Sequence, residues 1–148
     1  MNLRGMVNIA EASLTSGTTY NLLCCAAPSN QRIAIIGYKF FGKYNAAATP
    51  GLLQFCKAAS QGSSGTTVTP LPKEPECTET FQSSWIATPS TPPSTIVAMT
   101  TEEVNPQLGV SDYVPLGEEI YVKGGGFFVL QFTPQVTTTY GGWLSINE

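Results

Sequence analysis

Short runs rich in threonine, serine and aromatic residues fill this sequence, and glycine or proline falls between these runs about every dozen residues. Such spacing is typical of short β-strands joined by turns, because proline and glycine weaken strand interiors and favour tight turns. No segment of useful length repeats its apolar residues with the period of an α-helix. The pattern predicts an all-β fold, a two-sheet β-sandwich or jelly roll of about eight strands.

The first residues, Met1–Leu14, are interpreted as a loosely patterned N-terminal arm with at most a short strand at Met6–Ala10. The glycine run Gly124–Gly126 is predicted to close a tight hairpin between the two strands beside it. The strands predicted after the arm are Thr19–Ala26, Gln31–Lys43, Gly51–Ala58, Thr95–Thr101, Leu108–Val114, Glu118–Lys123, Phe127–Thr133 and Thr137–Asn147.

A chain of 148 residues favours a single domain, here residues 1–148. Within it, Pro70–Pro93 carries six of the 11 prolines, so most of this segment is predicted to be a loop, with a short edge strand near Phe81–Ile86. Ser60–Gly65 is a flexible loop by composition. An irregular excursion as long as Pro70–Pro93 is usually functional or lies against a partner.

The strand Gln31–Lys43 is apolar on both faces, which predicts that it is covered on both sides. Strict alternation places Ile33 and Ile35 on one face and Ala34, Ile36, Tyr38 and Phe40 on the other. One cover is the core of the domain, and the other is predicted to be a neighbouring subunit. The candidates for this subunit interface are Ile36, Tyr38, Phe40 and Tyr121.

Charged residues make up only 11% of the sequence, against roughly 25% in an average soluble protein. Seven Lys and Arg residues at a net charge of −3 are too few for a nucleic-acid-binding surface. On a monomer surface of roughly 7,000 Å², one charge falls on about every 400 Å². An exterior with so few charges predicts a protein that works inside an assembly. Removing threonine or alanine from water costs little free energy there, whereas removing a charge costs much more.

Little in the sequence indicates catalysis or a cofactor. The chain has no histidine, which excludes imidazole-based triads and histidine-ligated zinc. The acidic doublets Glu102–Glu103 and Glu118–Glu119 favour solvated turns over a catalytic carboxylate pair, although such pairs form through space and stay an open alternative. Asp112 is the only aspartate, which disfavours a calcium loop. We therefore expect neither an enzyme nor a metal or other cofactor.

The cysteines are Cys24, Cys25, Cys56 and Cys77. Cys24 and Cys25 should point to opposite faces of one strand, which makes them poor joint ligands and poor disulfide partners. We expect all four to be reduced residues of a protein made in a bacterial cytoplasm. No apolar run is long enough to cross a membrane, and the first residues do not form a secretory signal.

Two aromatic features allow alternative interpretations. Tyr38, Phe40, Phe41 and Tyr44 fit a core and subunit contact, and also fit the aromatic platform of a glycan-binding module. Trp85, inside the proline-rich segment, is the better candidate for an exposed aromatic residue that anchors this loop on the body or on a partner.

Two motifs resemble a known group of proteins. The run Ala27–Gly37, with the sequence APSNQRIAIIG, and the segment Tyr113–Gly126, with a Tyr-x-Pro start and a glycine-rich turn, are similar to those of small proteins encoded among the head genes of tailed bacteriophages. Such proteins are jelly-roll capsid decoration (cement) proteins that sit as trimers on the outside of icosahedral heads. The two motifs cover about a third of the chain, and its long proline-rich segment and its cysteines depart from the pattern.

The resemblance implies a structural virion protein that binds the major capsid protein as a trimer on the outer capsid surface and stabilises the shell. The arm Met1–Leu14 or the loop Pro70–Pro93 is expected to dock on the shell. The candidates for capsid contact are Met1, Asn2, Leu3, Arg4, Met6 and Trp85. The alternative is a receptor- or glycan-binding head domain of a phage fibre or tail. Neither nucleic acid nor a membrane is expected as a partner.

Overall fold

The computed structural model describes residues 3–148, which form β-strands joined by turns and loops, without a helix. The strands are β1 (Arg4–Leu14), β2 (Tyr20–Ala26), β3 (Ile33–Phe41), β4 (Gly51–Ala58), β5 (Thr66–Thr67), β6 (Leu71–Pro72), β7 (Ser84–Ala87), β8 (Val97–Val104), β9 (Val110–Tyr113), β10 (Ile120–Val122), β11 (Phe127–Thr133) and β12 (Thr138–Asn147).

These strands build two antiparallel sheets packed face to face, which confirms the predicted β-sandwich. Sheet A has the order β10-β3-β12-β1-β6, with β9 also paired to β3, and sheet B has the order β5-β7-β2-β11-β4-β8. The paired strands are nested along the chain, so that each pair encloses the next one. From the outermost inward, the pairs are β1 with β12, β2 with β11, β3 with β10 and β9, and β4 with β8. This nesting is the strand order of a jelly roll, to which β5, β6 and β7 add short edge pieces.

The core between the sheets is built largely from aromatic side chains. The ring centroid of Phe40 in sheet A lies 4.6 Å from that of Phe132 in sheet B, and Phe132 lies 4.8 Å from Tyr140. Edge-to-face contacts of this kind add about 0.5–1.5 kcal/mol per pair beyond the burial of area. These rings therefore hold the two sheets together near the ends of β3 and β11 and the start of β12.

A β-bulge in β3 overturns the predicted alternation of that strand. Ile35 pairs with Ile146 and Gly37 pairs with Ser145, so Ile36 is an extra residue without a partner on β12. The bulge reverses the facing of the residues after it. As a result Tyr38 and Phe40 lie in the same core as Ile33 and Ile35, and their prediction as subunit-interface residues is wrong. Ile36 stays half-buried on the outer face.

The predicted N-terminal arm is also wrong for the part of it that the structure describes. β1 lies inside sheet A, paired along its length with β12 and at one end with β6. Val7, Ile9 and Leu14 belong to the core cluster. The alternation of these residues was partly hidden because a second bulge, between Ile9 and Ala12, breaks the period of two.

The glycine run Gly124–Gly126 does not close a hairpin. β10 pairs with β3 in sheet A, whereas the following strand β11 lies in sheet B. The run is a turn between the two sheets, closed by a 2.8 Å hydrogen bond from Gly126 N to Lys123 O. Gly125 has a φ of 70°, a left-handed conformation that glycine adopts without strain.

The proline-rich segment is mostly irregular, as predicted, but it is tied to the body of the domain. Its strand β7 lies between β5 and β2 and is not an edge strand. Trp85 on β7 is 1% exposed, so the prediction that it is an exposed aromatic residue is wrong. Its ring packs 6.5 Å from that of Phe128, and its Nε1 donates to Ser83 Oγ at 3.1 Å. Trp85 thus anchors the segment on the body.

The loop after β4 covers the outer face of sheet B. Cys24, Cys56 and Val129 form a small buried cluster there, beside Ile86 and Ile96. Gln61 Nε2 donates to the main-chain oxygens of Cys24 and Ser84 at 3.0 and 2.9 Å. The loop that composition alone marks as flexible is therefore fixed across this face by hydrogen bonds.

Candidate interaction surface

The outer face of sheet A carries a row of directly paired residues that crosses five strands. The pairings run from Leu71 on β6 through Met6, Ser145 and Gly37 to Tyr113 on β9. Leu71, Met6 and Tyr113 are large and apolar, whereas the residues between them are small. We call Met6, Leu71, Tyr113 and Trp143 the outer patch.

The position of the Tyr113 ring depends on the glycine beneath it. A Cβ atom on Gly37 would lie 2.8 Å from Cδ1 of Tyr113, so the ring lies directly against the glycine main chain. From there its centroid is 6.2 Å from that of Trp143, the next aromatic ring on this face. Tyr113 is 64% exposed and Leu71 is 65% exposed. The outer patch therefore offers aromatic and aliphatic surface to solvent.

Cationic side chains surround the outer patch although the protein as a whole has a net charge of −3. Lys73 Nζ lies 5.9 Å from the centre of the Tyr113 ring. Lys39 pairs with Trp143 across the sheet, and Arg4 is exposed on the neighbouring strand. Three of the seven Lys and Arg residues thus border this one surface. A partner surface that combines apolar and acidic groups would match it.

Two polar atoms of β12, on the face that carries the outer patch, lack hydrogen-bond partners within the described residues. They are Ser145 Oγ and Asn147 Oδ1, both buried from solvent. Ser145 stands between Gly37 and Met6 in the cross-strand row. Buried polar groups are nearly always hydrogen-bonded, so this part of the face has hydrogen-bonding capacity that the isolated chain does not use.

The structure leaves few of the predicted capsid-contact residues free for contact. Arg4 and Met6 lie on the outer face of sheet A, Met6 within the outer patch. Leu3 is 5% exposed and Trp85 is in the core, so neither can reach a partner. Met1 and Asn2 lie outside the described residues. The outer patch residues Leu71, Tyr113 and Trp143 were missed by sequence reasoning.

Tyr121 is the one predicted interface residue with a well exposed side chain. It is 46% exposed on β10, and the guanidinium of Arg32 lies 4.4 Å above its ring. Its hydroxyl donates to Glu119 Oε2 at 3.3 Å. A hydrogen bond from its own main-chain N–H is the main cause of a lowered pKa of Glu119, and the bonds from Gly117 N and the Tyr121 hydroxyl and the charge of Arg32 lower it further. Glu119 is therefore an anion that orients Arg32 and Tyr121.

The aromatic residues considered for a glycan platform do not form one. Tyr38 and Phe40 lie in the core. Phe41 is half-buried, and Tyr44, which is 84% exposed, stands on a separate loop. The only stacked or tilted aromatic pair at the surface of the described residues is Tyr113 with Trp143.

Burial raises the pKa of titratable groups inside the sandwich. Cys24 and Cys25 face opposite sides of sheet B, as predicted, and burial raises the pKa of Cys24 to about 12. The hydroxyl of Tyr38 donates to Glu102, and burial raises the pKa of Tyr38 well above its usual range. Within residues 3–148 no three Cys, Asp or Glu side chains are placed to hold a metal ion. The four cysteines are free thiols.

Comparison with known proteins adds no relative to this picture. No protein-family model matches the sequence, and no curated protein matches it either. In the part of the chain that the structure describes, no helix is long and apolar enough to cross a membrane.

Proposed function

We propose that this protein is a capsid decoration protein, which binds the outside of an icosahedral phage head as a trimer and stabilises the shell. The observation that carries the proposal is the outer patch, an apolar and aromatic surface with a cationic border on a molecule of few charges. The jelly-roll strand order is compatible with it, as are the two sequence motifs that resemble those of decoration proteins.

The proposed mechanism is mechanical. Each copy places its outer patch across neighbouring copies of the major capsid protein, so these contacts must break before shell subunits separate. Because the protein binds the assembled shell and not the separated subunits, mass action favours assembly. The desolvation cost stays low, since the patch itself has no charged member and its cations lie at its border. The border favours acidic groups on the shell and fixes the orientation of docking.

The test is co-sedimentation of the purified protein with heads that lack it. Tyr113→Ala and Trp143→Ala should each weaken head binding at least tenfold, because tyrosine and tryptophan are frequent hot spots of interfaces. Leu116→Ala is the matched control, since Leu116 is 96% exposed on a loop outside the patch. Binding that is equal for all four proteins would reject the outer patch, and no binding by the wild type would reject the function.

The glycan-binding alternative is favoured by one observation, the exposed Tyr113 beside the half-buried Trp143 with ring centroids 6.2 Å apart. Two flat rings on one face can stack on sugar rings, as in a receptor-binding domain of a fibre or tail. A glycan array with the wild type and with Trp143→Ala tests this alternative. Glycan signals that disappear in the variant, together with failure to bind heads, would favour it over the capsid role.

A further inference from the structure

One flank of the sandwich opens into an apolar cleft. It has a volume of about 390 Å³ and lies between β1 of sheet A and the segment around β5 of sheet B. Its floor includes Ile9, Leu14, Leu22, Phe40 and Tyr140. No charged residue lines it within the described chain. We call it the flank cleft.

The flank cleft is bordered by an open strand edge. On this side β6 covers only Gly5 and Met6 of β1, whereas Asn8–Leu14 has no neighbouring strand there. β5 on the other rim pairs only with β7, so its far edge is open as well. Open edges offer main-chain donors and acceptors to another strand, and proteins usually protect them with charges, proline or a cover.

The opposite flank presents a second open edge. β8 is the last strand of sheet B and pairs only with β4. Its first five residues, Val97–Thr101, include no charge and no proline. Val97 is 47% exposed and Met99, displaced by a bulge, is 45% exposed. This edge therefore lacks the features that would keep another strand away.

We infer that the β8 edge of one copy docks in the flank cleft of the next copy, so that copies join head to tail into a closed ring. Met99 and Val97 supply the apolar side chains that the cleft accommodates, and the open edges of β8 and β1 can share main-chain hydrogen bonds. The inference deepens the trimer part of the proposed function and is independent of the capsid role.

A second copy is the occupant that explains both flanks together. One interface type, repeated around a ring, covers the cleft and the β8 edge of every copy. A two-fold pairing of β8 with β8 would cover one edge and leave the flank cleft open. The lining of the cleft and the β8 residues Val97–Thr101 carry no charge, so burying them strands none. The charges nearest to them are Glu11 on the β1 edge and Glu102 and Glu103 at the end of β8, which have to stay at the margin of the interface.

The experiment measures mass in solution for two variants, each disabling one half of the interface. Met99→Lys alters the β8 edge and Ala12→Lys alters the rim of the cleft, and both residues are exposed in the single chain. The wild type should form a ring and each variant a monomer of 15.8 kDa with an unchanged circular dichroism spectrum. Mixed in equal amounts, the variants should form a heterodimer, because one intact interface remains between them. Leu108→Lys, at a site that is 84% exposed and lies outside both β8 and the lining of the cleft, should keep the wild-type mass.

Several outcomes would overturn the inference. Monomer behaviour of the wild type at high concentration would do so, as would a ring that survives both lysine substitutions. If Met99→Lys abolishes assembly and Ala12→Lys does not, β8 pairs with itself and the head-to-tail interface is wrong. If mixing restores no heterodimer, the two surfaces do not contact each other. The head-binding assay decides the capsid role separately in each case.

Discussion

Ser83 and Glu148 are 65 residues apart in sequence, yet two hydrogen bonds join them. The main-chain N–H and the hydroxyl of Ser83 both donate to Oε2 of Glu148, at 3.1 and 2.5 Å. The other carboxylate oxygen accepts from Gln31 Nε2 at 2.7 Å and from Gln82 N at 2.6 Å. Glu148 is only 4% exposed, so these donors replace water as the partners of its side-chain oxygens. The carboxylate ties the proline-rich segment to the start of β3.

Glu148→Gln should therefore lower the free energy of unfolding by about 1–3 kcal/mol. The amide keeps the size of the side chain, but its NH₂ group faces donors where an oxygen acceptor stood, so at least one buried donor loses its partner. Urea denaturation followed by circular dichroism measures the change. Glu103→Gln, at an exposed position, is the control and should stay within about 0.5 kcal/mol of the wild type. Equal stability of both variants would contradict the structural role of Glu148.

Sequence reasoning found the architecture and missed the facing of several strands, for one physical reason. Period-two alternation identifies a strand, but one inserted residue reverses every side chain after it. Because of the bulge at Ile36, Tyr38 and Phe40 lie in the core and not at the predicted interface. The bulge between Ile9 and Ala12 interrupts the alternation of β1, so its sequence did not resemble a strand. Bulges leave no clear signal in a single sequence, because they depend on pairing with a distant strand.

The outer patch was beyond sequence reasoning for a related reason. Its members come from β1, β6, β9 and β12, and only the register of sheet A brings them together. The predicted strand Leu108–Val114 already contained Tyr113, and the predicted strand Thr137–Asn147 contained Trp143. The neighbouring residues in the sequence did not show whether either ring faces the solvent or the core. The composition did predict that some apolar residues remain on the surface, although it did not identify them, and the structure has such residues.

The reactivity of the thiols should separate one cysteine from the other three. Cys24, Cys25 and Cys56 are 0% exposed, and burial raises the pKa of each, whereas Cys77 is partly exposed. Because the thiolate is the reactive form, a disulfide reagent at pH 8 should modify one thiol per folded chain and four after unfolding in urea. Cys77→Ser should abolish the reaction of the folded protein and reduce the unfolded count to three. Rapid reaction of two or more thiols in the folded wild type would contradict the described burial.

Stability should decrease at alkaline pH for the same cause. The pKa of Cys24 is raised from 9.0 to about 12 in the folded protein, so the native state keeps a proton that the unfolded chain releases. The free energy of unfolding therefore falls as the pH rises from about 9 towards 12. Urea midpoints measured across this range should decline for the wild type and decline less for Cys24→Ala. A parallel decline in the variant would assign the effect to other groups, of which Cys25 and Tyr38 are the first candidates, since burial also raises the pKa of both.

Ser145→Ala should stabilise the isolated protein by about 1 kcal/mol, since an unbonded buried hydroxyl carries a desolvation cost that alanine does not. Ser145 is 0% exposed, and its Oγ has no partner within the described residues. Thermal unfolding measures the gain, with the exposed Ser13→Ala as the matched control. A loss of stability in Ser145→Ala would show that the hydroxyl is bonded in solution, for instance to a trapped water molecule.

Removal of residues 1–14 should unfold the domain, contrary to the behaviour of a detachable arm. The deletion takes away β1, whose side chains Val7, Ile9 and Leu14 lie in the core, and it uncovers the side of β12 that β1 protects. Each buried aliphatic side chain contributes about 1.5–3 kcal/mol. The loss of three of them, together with the lost strand pairing, is comparable to the whole stability of a domain, about 5–15 kcal/mol.

The truncated chain should show no cooperative thermal transition and a narrow range of amide proton shifts. The shorter deletion of Met1 and Asn2 removes none of these side chains and should leave the transition in place. A folded, cooperative product of the longer deletion would mean that β1 adds to the sandwich from outside and is not part of its core.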